Sequence, residues 1–273
     1  MGVLHKQPPF QNVAAGQVAN LPNLNMGDTC DMLLFKLGGT FTVSQINGIR
    51  AKLGGKTIVD DLSGSQLSLI NDYMGRVTST TFLAIHFADI NARTITGENI
   101  GSIDTSLGYT SFTLEVDIDA GAIAPTLECW MLKSPPKVGV DKGVFKSYLK
   151  SVETFGAANT FNLSPAVGSA VGNLINRLHL FHANITRLDV KKNGLEILGD
   201  GEIAVVEFLQ DELNRTTQAG LLVYDPLFDN NQSNSVSTVK PDGSVAPMEF
   251  RATLSAGDTI TEISELYSSI ATI

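Results

Sequence analysis

The chain carries an internal repeat, and this repeat restricts its possible folds more than any other feature. Segment 49–59 (IRAKLGGKTIV) aligns without gaps with segment 188–198 (LDVKKNGLEIL), a constant offset in numbering of 188 − 49 = 139. In each copy a predicted strand, with alternating apolar and polar residues, leads into a two-residue turn, Gly54-Gly55 or Asn193-Gly194. Glycine and asparagine accept the positive φ angles of a tight hairpin turn. The sequence therefore predicts the same β-hairpin twice.

The same offset continues beyond the hairpin without a gap. Apolar residues recur at helical spacing in both copies and predict a short helix with one stripe toward a core. These residues are Leu62, Leu67, Ile70 and Met74 in the first copy, and Ile203, Val206, Leu209 and Leu213 in the second. The run FLAI (82–85) then aligns with LLVY (221–224). Such apolar runs are typical of strands covered on both faces.

Loops change the offset elsewhere in the chain. It falls slightly, to 250 − 114 = 136, where Leu114, Val116 and Ile118 meet Phe250, Ala252 and Leu254. It rises to 177 − 31 = 146 where segment 31–35 meets segment 177–181, which places Phe35 over Phe181. Phe181 is expected to be a buried aromatic, so Phe181→Ala should cost about 3–5 kcal/mol.

Each copy contains several short strands, one helix and frequent turns. This pattern is typical of a sandwich or jelly roll and not of a parallel βαβ fold, because helices do not alternate with the strands. We therefore predict an all-β chain with two tandem barrels. The N-terminal barrel spans residues 1–133 with a short N-terminal arm, a Pro-rich linker spans 134–145, and the C-terminal barrel spans 146–273.

Composition excludes several classes of protein. The net charge is −9 and no basic run exceeds Lys191-Lys192, so direct, sequence-specific binding of nucleic acid is not expected. Only 17% of residues are charged, which indicates a surface covered in part by neighbouring subunits. No apolar stretch predicts a spanning helix or a signal peptide, so the product should stay where it is made. Cys30 and Cys129 are expected to be reduced and buried.

Several framework segments, in this order and spacing, resemble one known family. They are NVAAG (12–16), VSQINGIRAKLGGK (43–56), SLINDY (68–73), FLAIHF (82–87) and SFTLEVDIDAGAIAPTL (111–127). Together with the Pro-rich linker they resemble the double jelly-roll major capsid proteins of tailless, membrane-containing bacteriophages, most closely the corticovirus type. The resemblance covers nearly the whole chain.

The resemblance implies two eight-stranded, viral-type jelly rolls, each with a short helix after the second hairpin. It implies a non-enzymatic capsid protein whose homotrimers form pseudo-hexagonal blocks and tile an icosahedral virion shell. Neighbouring trimers, penton proteins, minor membrane-associated virion proteins and a lipid membrane beneath the shell would be its partners. The protein would be synthesised and assembled in the host bacterial cytoplasm.

The histidines do not form a recognisable catalytic or metal-binding pattern. His179 and His182 are three positions apart on a predicted strand, so they point to opposite faces. His5 lies in the predicted arm and His86 ends an apolar strand, neither within a triad or HExxH pattern. We predict no catalytic residues and no cofactor.

Asp117 and Asp119 are weak candidates for calcium ligands. Alternate carboxylates before Gly121 suit a hard cation. The second copy, residues 253–257 (TLSAG), keeps the Ala-Gly turn and lacks both carboxylates, which favours a structural turn. Asp60 and Asp61 precede the first helix and are predicted to cap its N-terminus.

Two polar segments, residues 88–108 and 226–247, are predicted to be exposed, mobile loops at the same barrel end. They suit an outer capsid surface or subunit clasps, or they are simply solvated. The alternative functions for a two-barrel chain are a carbohydrate-binding or glycan-processing protein and a cupin-like enzyme. A sugar-binding protein would present surface aromatics, whereas Trp130 aligns with Leu266 and is expected to pack in a core. Four scattered histidines do not suit a metal cupin.

Overall fold

The computed structural model describes residues 2–168 and 172–273 and contains two barrels. The strands of the first barrel are β1 (Val3–Lys6), β2 (Val18–Leu21), β3 (Thr29–Gly38), β4 (Ile46–Leu53), β5 (Lys56–Leu62), β6 (Phe82–His86), β7 (Ile103–Asp104), β8 (Phe112–Ile118) and β9 (Thr126–Ser134). Helices α1 (Gly64–Tyr73) and α2 (Ile95–Asn99) flank β6. Two sheets, ordered β1-β9-β3-β6 and β2-β8-β4-β5, carry eight of these strands, and short β7 pairs with β3.

The second barrel repeats this order. Its strands are β10 (Phe145–Phe155), β11 (Thr160–Leu163), β12 (Leu174–Phe181), β13 (Ile185–Lys192), β14 (Leu195–Glu202), β15 (Leu221–Tyr224), β16 (Val236–Ser237), β17 (Met248–Leu254) and β18 (Asp258–Ser268), with α3 (Ile203–Glu212) before β15. Its sheets run β10-β18-β12-β15 and β11-β17-β13-β14, and β16 pairs with β12. The predicted pair of eight-stranded jelly rolls is confirmed.

The predicted hairpins are also confirmed. The φ angles are +56° and +82° at Gly54 and Gly55, and +52° and +75° at Asn193 and Gly194, as a tight turn of this hand requires. A helix, α1 or α3, directly follows each of these hairpins.

The two helices make equivalent hydrogen bonds, at positions related by the repeat offset. Asn71 Nδ2 donates to the Ala84 carbonyl oxygen at 2.8 Å, and Gln210 Nε2 donates to the Val223 carbonyl oxygen at 2.7 Å. The two donors stand at equivalent positions of the repeat, and so do the two acceptors. The apolar stripe is buried only in α1, however, because Leu209 of α3 is exposed where Ile70 of α1 is not.

The predicted cap of α1 is wrong. Ser63 is the N-cap, and its side chain and that of Gln66 satisfy each other's backbone amides in a capping box. Asp61 adopts a positive φ of +47° and instead lies 2.7 Å from Arg50 Nη1. The carboxylate serves an ion pair between strands rather than the helix end.

The predicted N-terminal arm is in fact a strand. Residues 3–6 form β1, which pairs antiparallel with β9 at the sheet edge. The linker region between β9 and β10 includes a 3-10 turn, Val140–Gly143, and the domain boundaries at 133 and 146 stay predictions. Cys30 and Cys129 are free and buried within the first barrel.

The two polar segments are not simply exposed loops. Residues 88–108 contain α2 and β7, and residues 226–247 contain β16 and the fully buried Leu227. The segments also bind each other, since the Arg93 amide donates to the Asn230 carbonyl oxygen at 3.2 Å. Contacts between the barrels therefore order both segments within one chain.

One alignment from the sequence is wrong by a single residue. Leu34 pairs with Ala84, and His179 pairs with Val223, which stands at the repeat position of Ala84. Leu34 therefore corresponds to His179, an offset of 145 rather than 146. Because strand side chains alternate, this slip exchanges the two faces: Phe35 corresponds to the buried Leu180, and Phe181 is only half-buried.

The same correction changes the residue of the second repeat that corresponds to Trp130. It pairs with Leu34 and Lys6, whereas Ile263 pairs with the corresponding residues His179 and Lys150. Trp130 therefore corresponds to Ile263 and not to Leu266. Its ring is half-buried on the outer face of the sheet.

Candidate functional site: the interface between the two barrels

The two barrels share one continuous sheet. Strand β10 of the second barrel runs parallel to β5 of the first and meets it where Tyr148 faces Val59. The outer side of the sheet β10-β18-β12-β15 is therefore covered by the first barrel. Phe145, Tyr148 and Ile263 belong to the first barrel's core cluster as a result. A chain with this seam behaves as one block and not as two independent domains.

Apolar residues close one end of the seam. Tyr73 and Met74, at the end of α1, pack against Leu221 and Val223 of β15. Leu69 and Phe181 lie at the edge of this cluster. The outer side of α1 is thus an interface rather than a solvated helix face.

Buried charges fill the middle of the seam. Glu265 lies 2.8 Å from Arg177 Nη1 and 3.1 Å from Lys146 Nζ. Lys146 Nζ also lies 2.7 Å from Asp89 Oδ1. Each of these four side chains is at most 4% exposed. Buried charges are stable only when they are paired, and each charge here has an opposite partner.

Asp225 extends this network toward the apolar end. Arg215 Nε donates to Asp225 Oδ2 at 3.0 Å, and Tyr73 Oη donates to the same oxygen at 3.2 Å. Arg177 Nε lies 3.1 Å from Asp225 Oδ1, close enough for an ion pair but outside hydrogen-bond geometry. Tyr267 Oη donates to Asp89 Oδ2 at 2.7 Å.

The network keeps Glu265 and Asp89 ionised. Burial alone would raise the pKa of Glu265, yet the cations of Lys146 and Arg177 hold that pKa well below its usual range. The pKa of Asp89 is lowered for the same reason, against the opposing effect of burial. Burial together with Asp89 raises the pKa of Tyr267, so this phenol stays a proton donor.

His86 borders the network as a neutral side chain. Burial, reinforced by the positive charges of Arg76 and Lys146, lowers the pKa of His86 to about 2. Its backbone carbonyl accepts a hydrogen bond from Tyr148 Oη at 2.9 Å. The ring therefore adds no charge to the seam near neutral pH.

Both barrels contribute to the network, which we call the charged seam: Tyr73, Arg76 and Asp89 from the first barrel, and Lys146, Arg177, Arg215, Asp225, Glu265 and Tyr267 from the second. Its side chains are paired with one another. This arrangement of paired, buried charges holds one barrel in a fixed orientation against the other.

The calcium candidates lie outside the seam. Asp119 Oδ1 accepts a hydrogen bond from the Gly121 amide at 2.7 Å, and Asn47 Nδ2 donates to Asp119 Oδ2 at 3.4 Å. Asp117 lies in β8 between Val18 and Gly48 of the neighbouring strands. Within the described residues, no three His, Cys, Asp or Glu side chains are grouped to hold a metal ion. The weak calcium assignment to Asp117 and Asp119 and the favoured alternative, a structural turn, both stay predictions.

The two neighbouring histidines have separate roles. His179 is fully buried in the seam, where its Nε2 lies 3.4 Å from Glu265 Oε2. His182 Nδ1 accepts a hydrogen bond from the Ile185 amide at 3.1 Å. They do not converge on one point.

Trp130 is not a core residue, and the expectation that it packs inside a barrel is wrong. Lys6 Nζ and Lys36 Nζ lie 5.2 Å and 5.9 Å from its ring centroid. A cation near an indole face is attracted by the ring's quadrupole. The tryptophan thus marks the outer face of the sheet β1-β9-β3-β6.

Sequence reasoning missed the charged seam. A signal was present, since Arg177 and His179 interrupt the apolar strand LINRLHLF (174–181). When one face of a strand is charged and the other apolar, the charged face contacts either solvent or an interface in which the charges are paired. Choosing between these two required the position of the first barrel.

Two family profiles match the chain. The N-terminal domain of viral coat protein P2 matches residues 4–134, and the C-terminal domain of viral coat protein P2 matches residues 147–270. Among proteins with curated descriptions, none matches the sequence. Within the described residues, no helix is long and apolar enough to cross a membrane.

Solved structures share the architecture. The major capsid protein P2 of bacteriophage PM2 superposes with a TM-score of 0.86 at 16% identity, covering 100% of both chains. A chain from Sulfolobus turreted icosahedral virus gives a TM-score of 0.71 at 10% identity, covering 98% of this chain and 91% of that one. The Faustovirus major capsid protein gives 0.55 at 8% identity, covering 98% and 90%.

At these identities the superpositions show the fold, and the two profile matches show the family. Both agree with two jelly rolls joined in one chain. The chain therefore belongs to the viral coat protein P2 family, and it is a virion protein, a major capsid protein built as a double jelly roll.

Proposed function

We propose that three copies of this chain form a ring of six barrels, and that these trimers tile an icosahedral shell. The supporting observation is the rigid union of the two barrels through a shared sheet and the charged seam. A chain with two like barrels at a fixed angle lets three chains occupy six equivalent places around an axis.

The role is structural and involves no catalysis. In the shell, each trimer would contact neighbouring trimers, penton proteins and minor membrane-associated virion proteins, with a lipid membrane beneath. Synthesis and assembly would take place in the cytoplasm of a bacterial host. The family membership supports these partners as a class.

Light scattering on the purified protein tests the trimer. The expected mass is about three times the 29.1 kDa of one chain, independent of concentration across the working range. Averaged electron micrographs should then show a hexagonal outline. A monomer at high concentration would contradict the proposal.

A further inference from the structure

Several apolar side chains on β14 and α3 of the second barrel are exposed where their counterparts in the first barrel are buried or contact the second barrel. On β14 and α3 a run of large apolar side chains is exposed: Leu195, Ile197, Val205, Phe208 and Leu209. The equivalent positions of the first repeat show the contrast. Ile58 and Ile70 are 0% and 1% exposed, whereas the corresponding Ile197 and Leu209 are 44% and 49% exposed.

The first barrel shows what covers such a surface. Leu69 packs at the edge of the apolar cluster that joins α1 to β15, next to Phe181. Phe208 stands at the position of Leu69 and is 66% exposed. Within the described part of the chain, nothing equivalent to the second barrel lies beyond α3.

A matching face is present on the first barrel. The outer side of β1-β9-β3-β6 corresponds to the side of β10-β18-β12-β15 that the seam covers. Phe82, at the position of Leu221, is 45% exposed there. Where the seam pairs Arg177 with Glu265, this face pairs Met32 with Leu132. At this position the face is therefore apolar where the seam carries an ion pair.

An ion pair across the seam has an exposed acidic counterpart in the second barrel. Lys150 Nζ lies 3.2 Å from Asp61 Oδ2 and donates to the Asp61 carbonyl oxygen at 2.8 Å. Asp200 stands at the repeat position of Asp61 and shares its unusual backbone, with φ of +51° against +47°. The Asp200 side chain is 83% exposed and contacts Arg187 of its own chain. It therefore stays open to a cation from a second molecule.

Lys6 supplies the matching cation. It corresponds to Lys150, since each pairs with the residue, Trp130 or Ile263, at the same place in its sheet. Lys6 Nζ lies 2.5 Å from Glu128 Oε1 at the surface, where the Lys6 side chain is 56% exposed. Exposed ion pairs of this kind are weak and exchange partners at little cost. Lys6 and Asp200 thus stand at the positions equivalent to Lys150 and Asp61, which pair across the seam within one chain.

We propose that β14 and α3 of one copy bind the outer face of β1-β9-β3-β6 of a second copy, in the same arrangement that joins the barrels within the chain. Phe208 then packs near Phe82, and Asp200 pairs with Lys6 of the next copy. This inference rests on the proposed trimer and names the surface that closes it. A head-to-tail contact of this kind uses two different faces of each chain, as a ring requires.

Two variants test the contact in the full-length protein. Phe208→Asp places a charge in the proposed interface at a site that is exposed in a single chain. We expect the mass from light scattering to fall threefold, with an unchanged circular dichroism spectrum. Ile123→Asp is the matched control, since Ile123 is 68% exposed in the turn between β8 and β9 and lies outside the contact. It should remain a trimer.

Crosslinking supplies a readout that does not depend on weakening the assembly. Lys6→Cys combined with Asp200→Cys, treated with a short bis-maleimide, should give covalent dimers and trimers, because an ion pair spans more than a disulfide can. The same treatment of Lys6→Cys combined with Ile123→Cys should give no covalent dimers or trimers. Cys30 and Cys129 are buried and should not react.

The outcomes separate the two proposals. A trimeric Phe208→Asp variant without Lys6–Asp200 crosslinks would overturn the proposed contact and leave the trimer standing. A wild-type protein that is not a trimer would overturn the proposed function and this contact with it. Loss of the trimer in Phe208→Asp and the expected crosslinks would support both.

Discussion

Arg177 and Glu265 face each other on β12 and β18, at the position where the first barrel pairs Met32 with Leu132. Their side chains lie 2.8 Å apart and are at most 2% exposed. One repeat thus carries an apolar pair and the other a buried ion pair at equivalent places. The difference follows from what covers each sheet within the chain.

Glu265→Gln should destabilise the chain strongly. Removing one partner of a buried ion pair leaves Arg177 and Lys146 undercompensated, which costs about 3–5 kcal/mol. Urea unfolding measures the loss. Glu249→Gln is the control, because Glu249 is exposed on β17, and it should stay within about 0.5 kcal/mol of wild type. Equal effects of the two substitutions would contradict the role of the seam.

The Arg177→Met and Glu265→Leu substitutions should be coupled. Each one alone leaves an unpaired partner, whereas together they restore the pair found in the first barrel. We expect the double variant to lose less stability than the sum of the two single losses, by about 0.5–3 kcal/mol. A double-mutant cycle by urea unfolding measures this difference, and strict additivity would argue against a direct pair.

Acid should weaken the seam. The folded-state pKa values of Asp89 and Glu265 are depressed, so their stabilisation is present above the ordinary carboxyl pKa of about 4 and is lost as the pH falls through the folded-state values. The urea midpoint should therefore fall steadily below about pH 4. A midpoint that is constant between neutral pH and pH 3 would contradict the ionised network.

Glu262 should give the opposite pH dependence. Burial, the largest effect, raises its pKa to about 7, although Ser151 donates to Glu262 Oε2 at 3.0 Å. A raised folded-state pKa gives stability that is present below the unfolded value and is lost as the pH rises through about 7. Glu262→Gln should therefore raise the urea midpoint at pH 8 relative to wild type and change it little at pH 4. Parallel shifts at both pH values would be evidence against a protonated Glu262.

Calcium should leave the protein's thermal stability unchanged, because Asp119 already serves the turn to Gly121. A ligand that binds only the folded state raises the melting temperature with its concentration. A rise on adding calcium that Asp117→Asn abolishes would establish the site instead.

Repeat spacing predicted the hairpins, the helices and the class of fold, because turn residues and apolar periodicity are local properties. It failed by one residue in β3 and β12, where the match of Phe35 with Phe181 is contradicted by the pairing of Leu34 and His179 with equivalent residues of β6 and β15. As a result, the prediction that Phe181 is a buried aromatic is wrong. Phe35→Ala should lower the free energy of unfolding by about 3–5 kcal/mol. Phe181→Ala should lower it by less than about 2 kcal/mol, because the Phe181 side chain is only half-buried.

The charged seam could not be predicted from local pattern. Whether Arg177 and Glu265 face water or another barrel depends on how the two repeats pack, and the sequence of one strand does not contain that information. The exposed stripe of α3 is the reverse case, since an apolar helix face predicted a core that the described residues of the chain do not complete.

A density map of the purified trimer by electron cryomicroscopy tests the account most directly. We expect six barrels in a ring, with α3 of each chain lying on the outer face of β3 and β6 of the next and Phe208 near Phe82. A particle in which α3 and β14 face solvent would contradict it.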